Sequence, residues 1–199
     1  MKETYLSRDF RETAAQCFPS QAKELNAFFD ARWNVLRAEN EDARKERQNH
    51  LQRQMSPGIA AYETLQGVMP KEEALQIVHG YVERLARTSH KALATLLVRP
   101  GLYRLCPGVL VNSTRSGFGP AAGFDSKELQ VGNGIWRVDM MKCPYHDTCV
   151  AYGCPELCCC FCASDDISYT GLHPKLVWHR TKTPGRRADR SAFLMQIMK

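Results

Sequence analysis

The feature that most constrains the fold of this chain is a change of hydrophobic period near its middle. In the first half, apolar residues recur every three or four positions, as they do in helices. In the second half, residues 127–131 and 135–141 flank Gly132-Asn133-Gly134, a sequence typical of a tight hairpin turn. Residues 175–181 and 191–198 predict a second strand pair joined by a polar turn. The chain is therefore predicted to have an α+β fold: a helical N-terminal half, then an antiparallel sheet of about four strands with helices packed on one face.

The predicted helices comprise one long arm and several shorter elements. Residues 21–54 contain neither Pro nor Gly and predict a single helix, whose polar part beyond Ala38 is a solvated extension. The alternative is a disordered arm or a partner-binding helix, through which the chain would form a homo-oligomer. Ser56-Pro57-Gly58 predicts a break that divides the chain into an N-terminal helical arm, 1–55, and an α+β domain, 56–199. Further helices are predicted at residues 59–68, 71–100, 144–153 and 156–169.

The composition argues against several classes of partner. The net charge of +6 over 199 residues is modest and dispersed, so it does not indicate nucleic-acid binding. Residues 1–10 lack the apolar stretch of a secretory signal, and no run approaches the roughly 18 apolar residues of a membrane span. We therefore expect a cytoplasmic protein with no membrane partner, whose cysteines are catalytic, metal-bound or inert.

Seven of the nine cysteines lie within residues 141–166, beside carboxylates and a histidine. Such a segment either holds a metal or uses a thiolate as a nucleophile. The metal interpretation is the weaker one, because the spacing Cys143-x5-Cys149-x4-Cys154-x3-Cys158 lacks the paired C-x2-C knuckles of structural zinc sites. Neighbouring thiols on a helix also point about 100° apart, so the run that starts at Cys158 does not converge on one ion. We predict no cofactor.

The nucleophile interpretation depends on two thiols and one carboxylate. Cys162 and Asp165 are three residues apart on a predicted helix, so the thiol and the carboxylate meet on one face. Cys143 lies where a strand ends and a helix begins, a position at which the helix dipole lowers a thiol pKa. His179 and Arg180, on a facing strand, are candidates for the same pocket. The alternative is that each group is structural: an inert core thiol, a solvated carboxylate, or a surface or capping histidine.

Five short motifs follow one another along the second half of the chain. They are Cys143-Pro144-Tyr145, Gly153-Cys154-Pro155-Glu156-Leu157, Cys162-Ala163-Ser164-Asp165, Arg180-Thr181-Lys182-Thr183 and Ser191-Ala192-Phe193. Residues 60–65 and 71–74 precede them as a helical lead-in. In this order and spacing, the chain from about residue 59 to its end resembles the L-2-amino-thiazoline-4-carboxylic acid hydrolase family.

The chain departs from the family pattern around its last motif. Ser191 stands where the family has a third cysteine, and Ala192 stands where it has an aspartate. The glycine before them is displaced to Gly185, with Arg186 and Arg187 inserted after it. If the missing cysteine is catalytic or binds a ligand in the family, the activity of this chain is altered or lost in that respect. That favours an alternative function, in which the same cysteine-lined pocket binds a small molecule or a metal without catalysis, as in sensor-like domains.

The resemblance implies ring opening of a cyclic isothiourea to a carbamoyl-cysteine. A thiolate attacks the ring carbon between nitrogen and sulfur, and Asp165 protonates the leaving atom and then activates water. Arg180 suits the substrate carboxylate, because its planar fork matches two oxygens. Either the carbon–nitrogen or the carbon–sulfur bond breaks. The predicted catalytic residues are Cys162, Asp165 and Cys143, and the predicted substrate-binding residues are Arg180, His179, His146 and Ser191.

Overall fold

The computed structural model describes residues 3–182 and 190–198, which form helices around one four-stranded sheet. The α-helices are α1 (Tyr5–Cys17), α2 (Ala22–Ala38), α3 (Lys45–His50), α4 (Ser56–Gln66), α5 (Lys71–Leu97), α6 (Cys106–Gly117), α7 (Pro144–Ala151) and α8 (Cys158–Tyr169). The strands are β1 (Asp125–Gly132), β2 (Ile135–Lys142), β3 (Leu176–Lys182) and β4 (Ser191–Ile197). A π-helical turn, Leu51–Met55, joins α3 to α4. The predicted α+β fold is confirmed, and both predicted strand pairs are present.

All three strand pairings in the sheet are antiparallel, and the strand order is β1-β2-β4-β3. The β1–β2 connection is the predicted tight turn, in which Asn133 and Gly134 adopt φ angles of 52° and 78°. Two successive positive φ angles are what a two-residue turn between right-twisted strands requires. The polar turn predicted between β3 and β4, at residues 183–187, lies outside the described residues.

One face of the sheet is covered by helices. Trp136, Met195 and Trp178 form a row across β2, β4 and β3, and the two indole rings stack at 6.0 Å. The indole nitrogen of Trp136 donates to the hydroxyl of Thr114 on α6. This packing defines an inner face of the sheet, to which alternate residues of β2, of β4 and of β3 as far as Arg180 belong.

The prediction of one helix over residues 21–54 is wrong. Helix α2 ends at Ala38, the chain turns, and α3 begins at Lys45. The side-chain amide of Asn40 donates both to the carbonyl of Leu36 and to the hydroxyl of Tyr152, at 2.8 Å each. The polar residues beyond Ala38 offer no apolar stripe to bury, so nothing favours a straight continuation over this turn.

The predicted helix break at Ser56-Pro57-Gly58 is also absent, because the π-helical turn passes directly into α4. Pro57 occupies the first turn of α4, where its missing N–H is tolerated. Gly58 is buried, and a Cβ at this position would lie 2.7 Å from the ring of Phe161. The glycine therefore allows a close approach of α4 to α8 rather than ending a helix.

The N-terminal helices share a core with the helices of the second half. The rings of Phe10 on α1 and Phe29 on α2 stack with centroids 4.4 Å apart. Both belong to a buried cluster that also contains Ile59, Val78 and Phe161. The predicted arm, residues 1–55, thus contributes helices that pack against α4, α5 and α8. Among the described residues, no helix combines the length and apolarity needed to cross a bilayer.

Candidate active site

A cavity of about 150 Å³ lies between α8, the start of α7 and one end of the sheet. Its polar lining contains two thiols, a carboxyl, a guanidinium, an amide and two hydroxyls, from Cys143, Cys162, Asp165, Arg180, Gln54, Ser164 and Ser191. The other walls come from Phe118, Phe124, Met140, Tyr145, Phe161 and Phe193. A small, mostly apolar space with a few convergent polar groups is typical of a small-molecule site.

The strand register explains which strand residues reach the cavity. Arg180 on β3 pairs with Phe193 on β4, and Met140 on β2 pairs with Ser191. Arg180 and Phe193 are two residues from the inner-face row of Trp178, Met195 and Trp136 along their strands, and Met140 and Ser191 are four residues from it, so all four belong to the same face. His179 falls on the opposite face and is exposed. Consecutive strand residues point to opposite faces, so His179 and Arg180 do not share the cavity.

His146 is the second predicted residue that lies outside the cavity lining. It sits in the first turn of α7, close to Cys143 in sequence, and its Nδ1 lies 3.6 Å from a carboxylate oxygen of Asp147. Neither His146 nor His179 lines the cavity.

Helix α8 presents a row of thiols and carboxyls along one face. The Sγ atoms of Cys158 and Cys162, one turn apart, lie 3.8 Å from each other. A hydrogen bond from Cys158 lowers the pKa of Cys162, and the positive charge of Arg180 acts in the same direction. Burial and the carboxylates of Asp165 and Asp166 oppose these effects without reversing them. Cys162 is therefore the cavity thiol with enhanced thiolate character.

Cys143 has the opposite character. It is the N-cap residue of α7, as the sequence predicts, and the backbone amides of Tyr145 and His146 favour its thiolate. Its thiol makes no capping hydrogen bond, however, and burial raises the pKa of Cys143 to about 11. The expectation that the helix N-terminus lowers this pKa is wrong, because loss of hydration outweighs the dipole. Cys143 is a neutral thiol at neutral pH.

Asp165 lies one turn beyond Cys162 and also lines the cavity. Water reaches 44% of its side-chain surface, yet the density of protein atoms around the carboxyl is high enough to desolvate it. That burial raises the pKa of Asp165 to about 6, while Arg180 lowers it and Asp166 raises it. A carboxyl with a pKa near neutrality can both donate and accept a proton, which is the property that general acid–base catalysis needs.

Arg180 is nearly buried, with 6% of its side chain exposed. Its Nη2 donates to Oδ2 of Asp166, and its guanidinium carbon lies 5.8 Å from the centre of the Phe193 ring. Its Nη1 is 3.7 Å from Oδ2 of Asp165, an ion-pair distance, yet it has no hydrogen-bond partner among the described residues. A buried donor without a partner is costly, and a bound acceptor would remove that cost.

A hydrogen-bonded network forms the wall opposite α8. The hydroxyl of Tyr145 lies 3.1 Å from Oε1 of Gln54 and 3.1 Å from Nδ1 of His50. Nε2 of His50 is 2.8 Å from the carbonyl oxygen of Gly117. Because that carbonyl can only accept, Nε2 carries the proton. Burial raises the pKa of Tyr145, so its hydroxyl stays protonated and donates its proton within this network.

The sequence-predicted residues thus divide into two groups. Cys143, Cys162, Asp165, Arg180 and Ser191 surround one cavity, whereas His146 and His179 do not line it. Sequence reasoning missed Gln54, Tyr145, Ser164 and Asp166. Three of these four are motif neighbours of predicted residues, so their proximity was visible in the sequence. Gln54 carried no such indication.

The thiols do not form a metal site in the part of the chain that the structure describes. No group of three or more His, Cys, Asp or Glu side chains within residues 3–182 and 190–198 is arranged to hold an ion. The described cysteines are free thiols, and those of the second half are mostly buried or half-buried. The thiol pair of α8 contributes Cys162 to the cavity, with Cys158 behind it.

Fold and cavity together define an α+β domain with a small cavity lined by thiols, a carboxyl and a guanidinium. The chain belongs to the L-2-amino-thiazoline-4-carboxylic acid hydrolase family, whose model matches residues 48–193. This range contains every residue that lines the cavity. No curated protein and no solved structure shows significant similarity to the chain.

Proposed function

We propose that this protein hydrolyses a cyclic amidine of the 2-amino-thiazoline-4-carboxylate type. The observation that carries the proposal is the convergence of Cys162, Asp165 and Arg180 on one cavity, in a chain of this family. Each group matches one part of such a substrate. The thiolate suits the electrophilic ring carbon, the carboxyl suits the leaving atom, and the guanidinium suits the carboxylate.

The dimensions of the cavity favour a small ring compound. A space of about 150 Å³ suits a compound as small as one five-membered ring with small substituents. The aromatic residues Phe118, Phe124, Phe161 and Phe193 cover its walls. Such apolar walls lower the local dielectric constant, which strengthens the electrostatic interactions of the few polar groups inside.

Binding comes first in the proposed mechanism. The substrate carboxylate pairs with Arg180, whose Nη1 has no hydrogen-bond partner among the residues that the structure describes. This anion competes with Asp165 for the guanidinium. With the positive charge shared and a second negative charge nearby, the pKa of Asp165 rises further above its ligand-free value of about 6. Substrate binding therefore delivers Asp165 in the protonated form.

Ring opening follows. The Cys162 thiolate attacks the amidinium carbon, and a carbon–sulfur bond to the enzyme forms. As the tetrahedral adduct collapses, one ring bond of that carbon breaks, and Asp165 transfers its proton to the leaving sulfur or nitrogen. The product of this step is a covalent adduct on Cys162 and a carboxylate on Asp165.

Hydrolysis of the adduct completes the cycle. Asp165, now ionised, accepts a proton from a water molecule, whose oxygen attacks the same carbon. The Cys162 sulfur leaves as a thiolate, and a carbamoyl-cysteine is released. The overall reaction consumes one water molecule and regenerates both groups. Breaking the ring carbon–sulfur bond gives an N-carbamoyl product with a free thiol, and breaking the carbon–nitrogen bond gives an S-carbamoyl product with a free amine.

The remaining polar groups have supporting roles in this proposal. Cys143, with its raised pKa, is a neutral donor in the cavity wall rather than a second nucleophile. Ser191 is buried and lines the cavity, so its hydroxyl is a polar contact for the substrate where the family has a thiol. The proposed steps use neither the missing cysteine nor the missing aspartate.

The test is an assay of the purified protein with 2-amino-thiazoline-4-carboxylate. Free thiol and free amine are measured in parallel, which identifies the bond that breaks. We expect turnover by the wild type and by Cys17→Ser, because Cys17 is exposed and outside the cavity. We expect none by Cys162→Ser. Activity that survives in Cys162→Ser would exclude the covalent route, and an inactive wild type would contradict the proposed function.

The second candidate is binding of the same class of molecule without turnover. The observation that favours it is Ser191 in place of the family cysteine. In that case calorimetry detects saturable binding of the thiazoline-carboxylate while the assay detects no product. Binding would depend on Arg180 and not on the thiolate of Cys162.

A further inference from the structure

Asp166 follows Asp165 on α8 but has different partners. Its Oδ1 accepts a hydrogen bond from the indole nitrogen of Trp178 at 2.9 Å, and its Oδ2 accepts one from Nη2 of Arg180. Trp178 and Arg180 are two residues apart on β3, so both side chains lie on the inner face. One carboxylate therefore binds two successive inner-face residues of the same strand.

This contact determines which part of the guanidinium is free. With Nη2 bound to Asp166 and the ring of Phe193 beside the guanidinium carbon, Nη1 is left next to Asp165, at 3.7 Å, and within residues 3–182 and 190–198 it makes no hydrogen bond. An arginine side chain has many rotamers, and ordering it only when the ligand binds would weaken binding. In this protein the ordering is already present before a ligand arrives.

We infer that Asp166 and Trp178 are positioning residues that hold Arg180 with Nη1 ready for a carboxylate beside Cys162, and that they make the site selective for carboxylate-bearing substrates. The inference deepens the proposed function, on which it rests for the identity of the substrate. Asp166 itself is absent from the cavity lining, so it acts through Arg180 and not on the substrate.

The experiment compares two alkylating reagents that differ in charge. Iodoacetate and iodoacetamide both react with a thiolate in the same way: the sulfur–carbon bond forms, the carbon–iodine bond breaks, and iodide leaves. Only iodoacetate carries a carboxylate. The ratio of the two rates at Cys162, measured by peptide mass spectrometry, reports whether a carboxylate is held beside this thiol. The exposed Cys17 of the same molecule supplies the internal reference.

In the wild type, we expect the iodoacetate-to-iodoacetamide ratio at Cys162 to exceed that at Cys17 by about tenfold, the range of a charge-assisted hydrogen bond. Asp166→Asn should lower the ratio by about as much, because Arg180 loses its anionic anchor. Trp178→Phe removes one of the two hydrogen bonds and should lower the ratio by about threefold. The matched control is Glu128→Gln, which breaks an arginine–carboxylate pair with Arg115 far along the chain from α8 and should leave the ratio unchanged.

The direction of the change separates positioning from a simple charge effect. Removing a negative charge near Cys162 would by itself attract iodoacetate and raise the ratio in Asp166→Asn. A raised or unchanged ratio in both Asp166→Asn and Trp178→Phe would overturn the inference, as would a wild-type ratio equal to that of Cys17. Since neither reagent is the substrate, this outcome is independent of the assay. A protein that fails to hydrolyse the thiazoline but retains the ratio pattern would contradict the proposed function alone.

Discussion

The thiol of Cys158 lies 3.8 Å from the thiol of Cys162, one turn of α8 away and behind the cavity wall. Cys162 contributes to the cavity lining, whereas Cys158 is fully buried and its pKa is raised. Cys158 is thus the hydrogen-bond donor of the pair, and Cys162 is the thiol that ionises more readily. The pKa of a thiol falls beside a cationic side chain or at a helix N-terminus. In this protein, the hydrogen bond from a neighbouring thiol and the positive charge of Arg180 lower the pKa of Cys162.

The first prediction concerns Cys158. Replacing it with Ala should slow alkylation of Cys162 by roughly tenfold at neutral pH, because loss of a hydrogen bond to the charged form raises the pKa of Cys162. Cys158→Ser keeps a donor and should restore most of the rate. Cys160→Ala, which alters another buried thiol of the same helix, is the control. Equal effects of the Ala and Ser variants would show that packing and not hydrogen bonding is responsible.

The second prediction concerns stability and the charge of Asp165. Its folded-state pKa, about 6, lies above the ordinary value, so the folded protein holds this proton more tightly than the unfolded chain. The contribution to stability is therefore present at low pH and lost as pH rises from about 4 through about 6. Asp165→Asn cannot ionise and should be more stable than the wild type above this range. Water reaches 44% of the side chain, so we expect a gain of no more than about 1 kcal/mol.

Urea unfolding at pH 4.5 and at pH 7.5 measures this effect. The stability advantage of Asp165→Asn should appear only at the higher pH. Glu128→Gln supplies a control of opposite sign. The hydrogen bond from Arg115 lowers the pKa of Glu128, so the stability that this carboxylate contributes is lost as pH falls. An advantage of Asp165→Asn that is equal at both pH values would arise from packing and not from ionisation.

The third prediction concerns Arg180. Arg180→Lys keeps the charge but loses the fork geometry, so binding of a thiazoline-carboxylate should weaken by roughly tenfold or more. The corresponding amide, which lacks the negative charge, should bind the variant and the wild type alike. Because Arg180 is nearly buried and bonded to Asp166, the variant should also lose about 1–2 kcal/mol of stability. Calorimetric titration of folded protein with both ligands makes the comparison, with Arg115→Lys as control. Equal weakening for acid and amide would remove Arg180 from the carboxylate site.

The fourth prediction concerns Gly58. A Cβ there would approach the Phe161 ring to 2.7 Å, and Phe161 lines the cavity. Gly58→Ala should therefore displace this ring, with a cost of about 1–3 kcal/mol from overpacking. Gly80→Ala, in α5, meets only the end of Arg84 at 3.7 Å and should be neutral or stabilising by up to about 1 kcal/mol. Thermal unfolding measures the stability of both variants. A Gly58→Ala variant as stable as the wild type would mean that α4 and α8 can move apart without a loss of stability.

Local sequence features specified several elements of this protein, although they predicted neither the end of α2 at Ala38 nor the continuous passage into α4. The turn at Asn133 and Gly134 and the alternation around it specify the first hairpin, because only a few backbone conformations close so short a loop. Pro144 and the residues after it specify the start of α7. The ordered motifs specify the family and bring Cys162 and Asp165 to one helix face, since that depends only on their separation by three residues.

Tertiary structure decided which of these residues form the site and how they ionise. The sequence favours a low pKa at Cys143, but the folded chain buries this thiol, and burial reverses the effect. Strand alternation separates His179 from Arg180, yet which of them faces inward depends on the helices that cover one face of the sheet. The contact of Tyr145 with His50 spans 95 residues. Burial, desolvation and long-range hydrogen bonds exist only once distant segments pack, whereas turns, caps and periodicity act within a few residues of the chain.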